Sequence, residues 1–164
     1  MNTNIDYTST NFIYPELTTI PCQPSYELLT KLKDELKSNA ASVPSDLGGG
    51  GHGHLGRVLT PAEYALVSPV PYVTPGHPGP LVIPAGTPNY LRQEMRDTHK
   101  EEIRVYRESD NVDKTLKKQM TTAIPDLYLK RFKNRLTNTI TQPIPDILQH
   151  LFTTYGRVRS EHVM

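Results

Sequence analysis

Apolar residues recur along this chain at helical spacing in a handful of stretches, separated by segments with no period at all. Leu28, Leu29, Leu32, Leu36 and Ala40 share one face of a helix that Pro24 and Ser25 open and that runs to about Ala41, with Lys31, Asp34, Glu35 and Lys37 mostly on the other face. Thr60-Pro61-Ala62-Glu63 has the form of a capping box with proline at the first helical position, predicting a short helix over 62–67 that Ser68-Pro69 ends. Thr87-Pro88 opens a helix to about Glu108 with Leu91, Met95, His99, Ile103 and Tyr106 on one stripe, and a further helix spans 112–124 with Val112, Leu116, Met120 and Ala123. Pro125-Asp126 opens the next, carrying Leu129, Phe132 and Leu136. The last starts near Pro143 and holds Ile144, Ile147, Leu148, Leu151, Phe152 and Tyr155, with Gly156 placed to end it in the left-handed conformation.

The segments between carry different signals. Residues 1–22 are polar and aperiodic and read as a flexible arm. Six of the ten glycines lie between 48 and 56, and eight prolines lie between 61 and 88. Proline cannot donate to a ladder, so no central strand fits there. Val70, Tyr72, Val73, Leu81, Val82 and Ile83 instead suggest an extended strap laid across a helical body. The expected fold is all-α: a small bundle of about five to six helices within 23–156, with irregular Gly/Pro-rich loops at about 44–60 and 68–87 and a tail at 157–164.

Composition narrows the function classes. Hydrophobic residues make up 36% of the 164, there is no Trp, and Cys22 is the only cysteine, which excludes an internal disulfide and any cysteine-rich zinc module. No apolar run approaches 18 residues, and the N-terminus lacks a signal-peptide pattern, so a soluble cytoplasmic protein without membrane contact is expected. Net charge is +1, but seven Lys/Arg against two Asp/Glu fall between 113 and 135. Lys114, Lys117, Lys118, Lys130, Arg131, Lys133 and Arg135 on successive helices form a candidate phosphate-facing surface, set against a plain solvated helix face with few aromatics for base stacking.

Gly51-His52-Gly53-His54-Leu55-Gly56 matches a dinucleotide fingerprint literally, yet no strand precedes it, Pro61 stops a helix from opening on it, and no acid stands about 20 residues on. His52, His54 and His77 are candidate metal ligands. They lack the partners that would complete a four-ligand site, so the favoured reading is that they hydrogen-bond loop carbonyls and pin the glycine-rich turn. There is no nucleophile motif, and Glu101-Glu102 are adjacent on a helix and do not face each other. No cofactor and no enzymatic role is expected.

The stretch from about Leu36 to Tyr155 resembles the N-terminal part of Gag proteins of copia-type LTR retrotransposons. The pieces that carry the resemblance are Leu36-Lys37-Ser38-Asn39-Ala40-Ala41-Ser42-Val43-Pro44, the glycine-histidine loop at 48–56, Leu59-Thr60-Pro61-Ala62-Glu63-Tyr64, His77-Pro78-Gly79-Pro80-Leu81, Ile83-Pro84-Ala85-Gly86-Thr87 and Asp146-Ile147-Leu148-Gln149-His150-Leu151-Phe152-Thr153-Thr154-Tyr155-Gly156. The resemblance implies an all-helical, capsid-like structural module that associates with itself around element RNA. It departs in stopping soon after Gly156 without a zinc knuckle, as a fragment or truncated copy would. Weak self-association, with Leu148, Leu151, Phe152 and Tyr155 as candidate contacts, and weak non-specific RNA binding are the expected partnerships. The alternative is a small helical nucleic-acid-binding module acting through the basic face at 114–135.

Overall fold

The structure is a computed structural model that describes residues 12–156. Among the described residues it is all-α, with five helices and no strand beyond an isolated bridge between Lys133 and Ile140. In order these are α1 (Tyr26–Ser42), α2 (Pro61–Ala65), α3 (Asn89–Ala123), α4 (Asp126–Leu129) and α5 (Ile144–Tyr155), with short 3₁₀ turns at Leu47–Gly49, Leu55–Arg57 and Lys130–Phe132. None of these helices is long and apolar enough to cross a membrane.

One core joins α1, the C-terminal half of α3 and α5. Leu29, Leu32 and Leu36 meet Val112, Leu116 and Met120, and Ile144, Ile147 and Leu151 close the third side, all with no exposed surface. Each such side chain contributes about 1.5–3 kcal/mol by leaving water. α1 starts where Ser25 accepts the Leu28 N–H through its hydroxyl, and α2 starts on the reciprocal Thr60–Glu63 box.

The segment expected to be a flexible arm packs instead. Phe12, Leu17 and Ile20 enter the core, and the Ile20 N–H donates to the Ala123 carbonyl (2.8 Å). The buried Glu35 carboxylate accepts both the Thr18 N–H (2.9 Å) and the Thr18 hydroxyl (3.0 Å), and the buried Asn39 amide exchanges bonds with Tyr14 in both directions. Three anchors on an irregular path leave no periodicity to read. Residues 1–11 of that arm, and the tail at 157–164, lie outside the described residues.

Three further expectations are corrected. The two helices expected on either side of residues 109–111 are one 35-residue helix, about 52 Å long at 1.5 Å per residue. Ser109-Asp110-Asn111 contains no glycine or proline, and Asp110–Lys114 (2.8 Å) and Asp113–Lys117 (2.8 Å) brace the helix just beyond. The helix begun at Asp126 stops at the turn ending in Phe132. The Asn134 side chain then accepts the N–H groups of Leu136 and Thr137 and turns the chain, leaving Leu136 95% exposed. Gly156 ends α5 at φ −91° rather than in the left-handed region.

Between Asn89 and Glu108, α3 buries no residue; its buried side chains start at Ser109. This half stands out from the core as a helical arm. The proline-rich strap leans on it: His99 Nε2 donates to the Gly79 carbonyl (2.7 Å), Arg92 donates to the Thr87 carbonyl (2.8 Å), and the His77 ring packs edge-on to Tyr106.

Candidate functional site

The glycine-histidine loop delivers its second histidine to the interior. Gly53 sits at φ +54°, where a Cβ would overlap the carbonyl oxygens of Val43 and Ala41, so only glycine lets the loop close onto the end of α1. The His54 N–H then donates to the Ala40 carbonyl (2.9 Å), and the His54 side chain is fully buried. A 3₁₀ turn follows and places Arg57 beside it. Gly56 approaches Tyr72 so closely that a Cβ would overlap the ring, which lets the strap's tyrosine descend over the turn.

His54 lies in a chain of hydrogen bonds linking loop, strap and α3. Its Nε2 is 3.1 Å from Glu108 Oε1 and its Nδ1 is 2.9 Å from the Tyr72 hydroxyl. The Tyr72 hydroxyl is 2.9 Å from Ser109 Oγ, which accepts the Arg57 Nε–H at 3.0 Å. With the imidazole neutral, the carboxylate end fixes the direction: Glu108 only accepts, so Nε2 carries the hydrogen, Nδ1 accepts from Tyr72, and Tyr72, its one hydrogen used, accepts from Ser109. Arg57 donates to Ser109, Ser109 to Tyr72, Tyr72 to His54 Nδ1, and His54 Nε2–H to Glu108, with the imidazole neutral. Burial lowers the His54 pKa below its ordinary 6.5, partly offset by Glu108. Burial raises that of the Tyr72 hydroxyl above its ordinary 10.0. The hydroxyl is thus held protonated, and both imidazole nitrogens are occupied. The arrangement is suited to clamping the strap and offers no activated nucleophile.

His52 Nε2 donates to the Val67 carbonyl (3.1 Å), while exposed His77 accepts the Gly79 N–H at Nδ1 (2.9 Å). Among the described residues no group of three His, Cys, Asp or Glu side chains is placed to hold a metal ion. Tyr64, buried behind His52, donates to the Gly48 carbonyl (2.6 Å), as does Ser68 (3.0 Å).

An open cleft of about 1030 Å³ lies beside the clamp, between the strap, α3 and the turn after α4. Lys114, Lys117, Lys118 and Lys133 line it, so the structure gathers four of the seven predicted basic residues. It also balances three of the four: Lys114 pairs with Asp110, Lys117 with Asp113 and Lys133 with Asp126. Lys130, Arg131 and Arg135 lie outside the cleft lining, and Arg131 stacks over Phe132 beside His150. The seven do not form one face.

No family model, curated protein or solved structure matches this chain.

The contact face expected on α5 is corrected. Leu148 and Leu151 are buried in the chain's own core, and Phe152 and Tyr155 are half-buried against Tyr26 and Tyr128. Exposed apolar surface lies elsewhere. Leu66, Val67, Val70, Val73, Leu81, Val82, Tyr90 and Leu91 all remain in solvent, with Leu66 86%, Val82 74% and Tyr90 72% exposed. Sequence reasoning missed Arg57, Tyr72, Glu108 and Ser109 as the partners of the loop. Their pairing spans up to 54 residues and has no local signature.

Proposed function

We propose that this chain is a non-enzymatic structural module of the Gag type, working in the cytoplasm, whose task is weak association with further copies of itself. The observation that supports this reading is the apolar surface between Leu66 and Leu91. Eight large apolar side chains there stay exposed on a chain with only 36% hydrophobic residues. Eight exposed apolar side chains within 26 residues of chain supply the material of an interaction surface wherever they adjoin. The clamp through His54 and Tyr72 holds the strap that carries much of it in one conformation, which lowers the entropy lost on docking. The order of matching sequence pieces described above supports the same class. Sedimentation velocity over a concentration series tests the reading: a reversible rise in the weight-average coefficient supports it, and a strictly monomeric species at the highest concentration contradicts it.

A further inference from the structure

Four positions in the chain place a serine or threonine directly before proline: Thr60, Ser68, Thr74 and Thr87. Three of these hydroxyls are committed to the fold. Thr60 caps α2, accepting the Glu63 N–H (3.2 Å). Ser68 is buried and donates to the Gly48 carbonyl (3.0 Å). Thr87 donates to the Pro84 carbonyl (2.6 Å) just ahead of α3. Thr74 differs. Its side chain is exposed and its hydroxyl has no hydrogen-bond partner among the described residues. Residues 71–78 around it belong to no helix or strand, and no backbone hydrogen bond holds any of them.

The strap places this threonine against α3. The Tyr72 hydroxyl meets Ser109 and the His77 ring packs on Tyr106, so Thr74 lies between two fastenings to the same helix. It lines the cleft together with Lys114, Lys117 and Lys118. Five cationic side chains and three carboxylates line that cleft, so its balance is positive. Lys118 makes no ion pair among the described residues, and Lys114, 72% exposed, is held by Asp110 alone.

We propose that Thr74 is a phosphorylation site for a proline-directed protein kinase, and that the phosphate docks on the lysines of α3. The γ-phosphoryl group of ATP passes to Thr74 Oγ. The bond to the ADP oxygen breaks, and the hydroxyl proton leaves through the kinase's base to solvent. Such transfer needs the acceptor hydroxyl in line with the leaving oxygen, which an enzyme achieves on a segment it can draw into its own groove. Lifting residues 73–76 breaks no backbone hydrogen bond, whereas drawing out Thr60 would unwind a helix start. The product carries a charge of about −1.5 to −2 and three strong acceptor oxygens. Lys114 and Lys118 meet it with charge-assisted bonds, so modification fastens the strap to α3 beyond the Tyr72 link. The proposal rests on neither self-association nor the family resemblance.

The test incubates the full chain with ATP and a recombinant proline-directed kinase, native and after denaturation, and maps phosphate by peptide mass spectrometry. The native chain should take phosphate at Thr74 and not at Thr60, Ser68 or Thr87, and Thr74→Val should abolish incorporation. Denaturation should open the other three sites. No phosphate at Thr74 in the native chain, or modification of the other three first, would overturn the site. Docking is read by ³¹P NMR titration of the modified chain. The second phosphate pKa should lie below the ordinary value of about 6 and return toward it in K114Q/K118Q. Amide exchange across 71–78 should slow on modification. Circular dichroism checks the fold of the double variant, and K118Q alone, with a smaller return, replaces it if it fails to fold. Identical phosphate titration in parent and variant would overturn the docking.

Discussion

The Tyr72 hydroxyl lies 2.9 Å from His54 Nδ1, and this contact ties the proline-rich strap to the interior of the helical body. Tyr72 is the bridging link in a directed chain, since its hydroxyl donates to His54 and accepts from Ser109. Tyr72→Phe keeps the ring and removes the bridge. It leaves His54 Nδ1 without a donor and the Ser109 hydroxyl hydrogen without an acceptor, while Arg57 still donates to Ser109 Oγ, at a cost of about 1–3 kcal/mol for each unsatisfied group. Chemical denaturation should show that loss, with increased amide exchange across residues 68–80. An unchanged midpoint would mean the strap is held by something other than this chain.

The same chain makes stability depend on pH. The His54 pKa is below 6.5 in the folded state because of burial, so the unfolded chain takes up this proton first as pH falls. Its contribution is therefore complete above 6.5 and declines as pH drops through 6.5 toward the folded value. Burial, with Arg131 second, also lowers the His150 pKa, giving the same sign. The variant H150Q separates the two: most of the slope between pH 7 and pH 5.5 should survive in it. If H150Q abolishes the slope, His54 is not the group responsible.

Legibility in the sequence followed locality. α1 and α5 were readable because their apolar residues repeat at helical spacing and because Ser25 and Pro143 mark their starts. The Thr60–Glu63 box was readable because both halves lie within a single turn. The course of α3 was not. Ser109-Asp110-Asn111 has the composition of a turn, and only packing of Ser109 against Arg57 and Tyr72 shows that the helix runs through. Residues 12–22 escaped because Phe12, Leu17 and Ile20 are buried by their partners and not by any period of their own.

The N-terminal segment is fastened by Asn39. Its amide accepts the Tyr14 N–H (2.8 Å) and donates to the Tyr14 carbonyl (3.0 Å) and to Gln119 Oε1 (3.0 Å). Asn39→Ala should cost about 1–3 kcal/mol through the orphaned groups and expose the Tyr14 and Ile20 amides to exchange. Protection at Ile20 equal to that of the parent would show that burial of Phe12, Leu17 and Ile20 suffices alone.

Stability and assembly should separate by position. Leu151 has no exposed surface and Leu66 is 86% exposed. Leu151→Ala should cost about 2–5 kcal/mol through the cavity it leaves. Leu66→Asp should move stability by no more than about 0.5 kcal/mol, as surface changes do, while weakening self-association. Equal loss of stability in both would place Leu66 in a packing role.

The central claim is that copies of this chain meet through the apolar surface between Leu66 and Leu91. A dilution series of two-dimensional ¹H–¹⁵N NMR spectra tests it residue by residue. Concentration-dependent shifts should cluster at residues 66–73 and 81–91 and be absent from the buried face of α5. Shifts centred on α5, or no shifts over the accessible concentration range, would contradict the account.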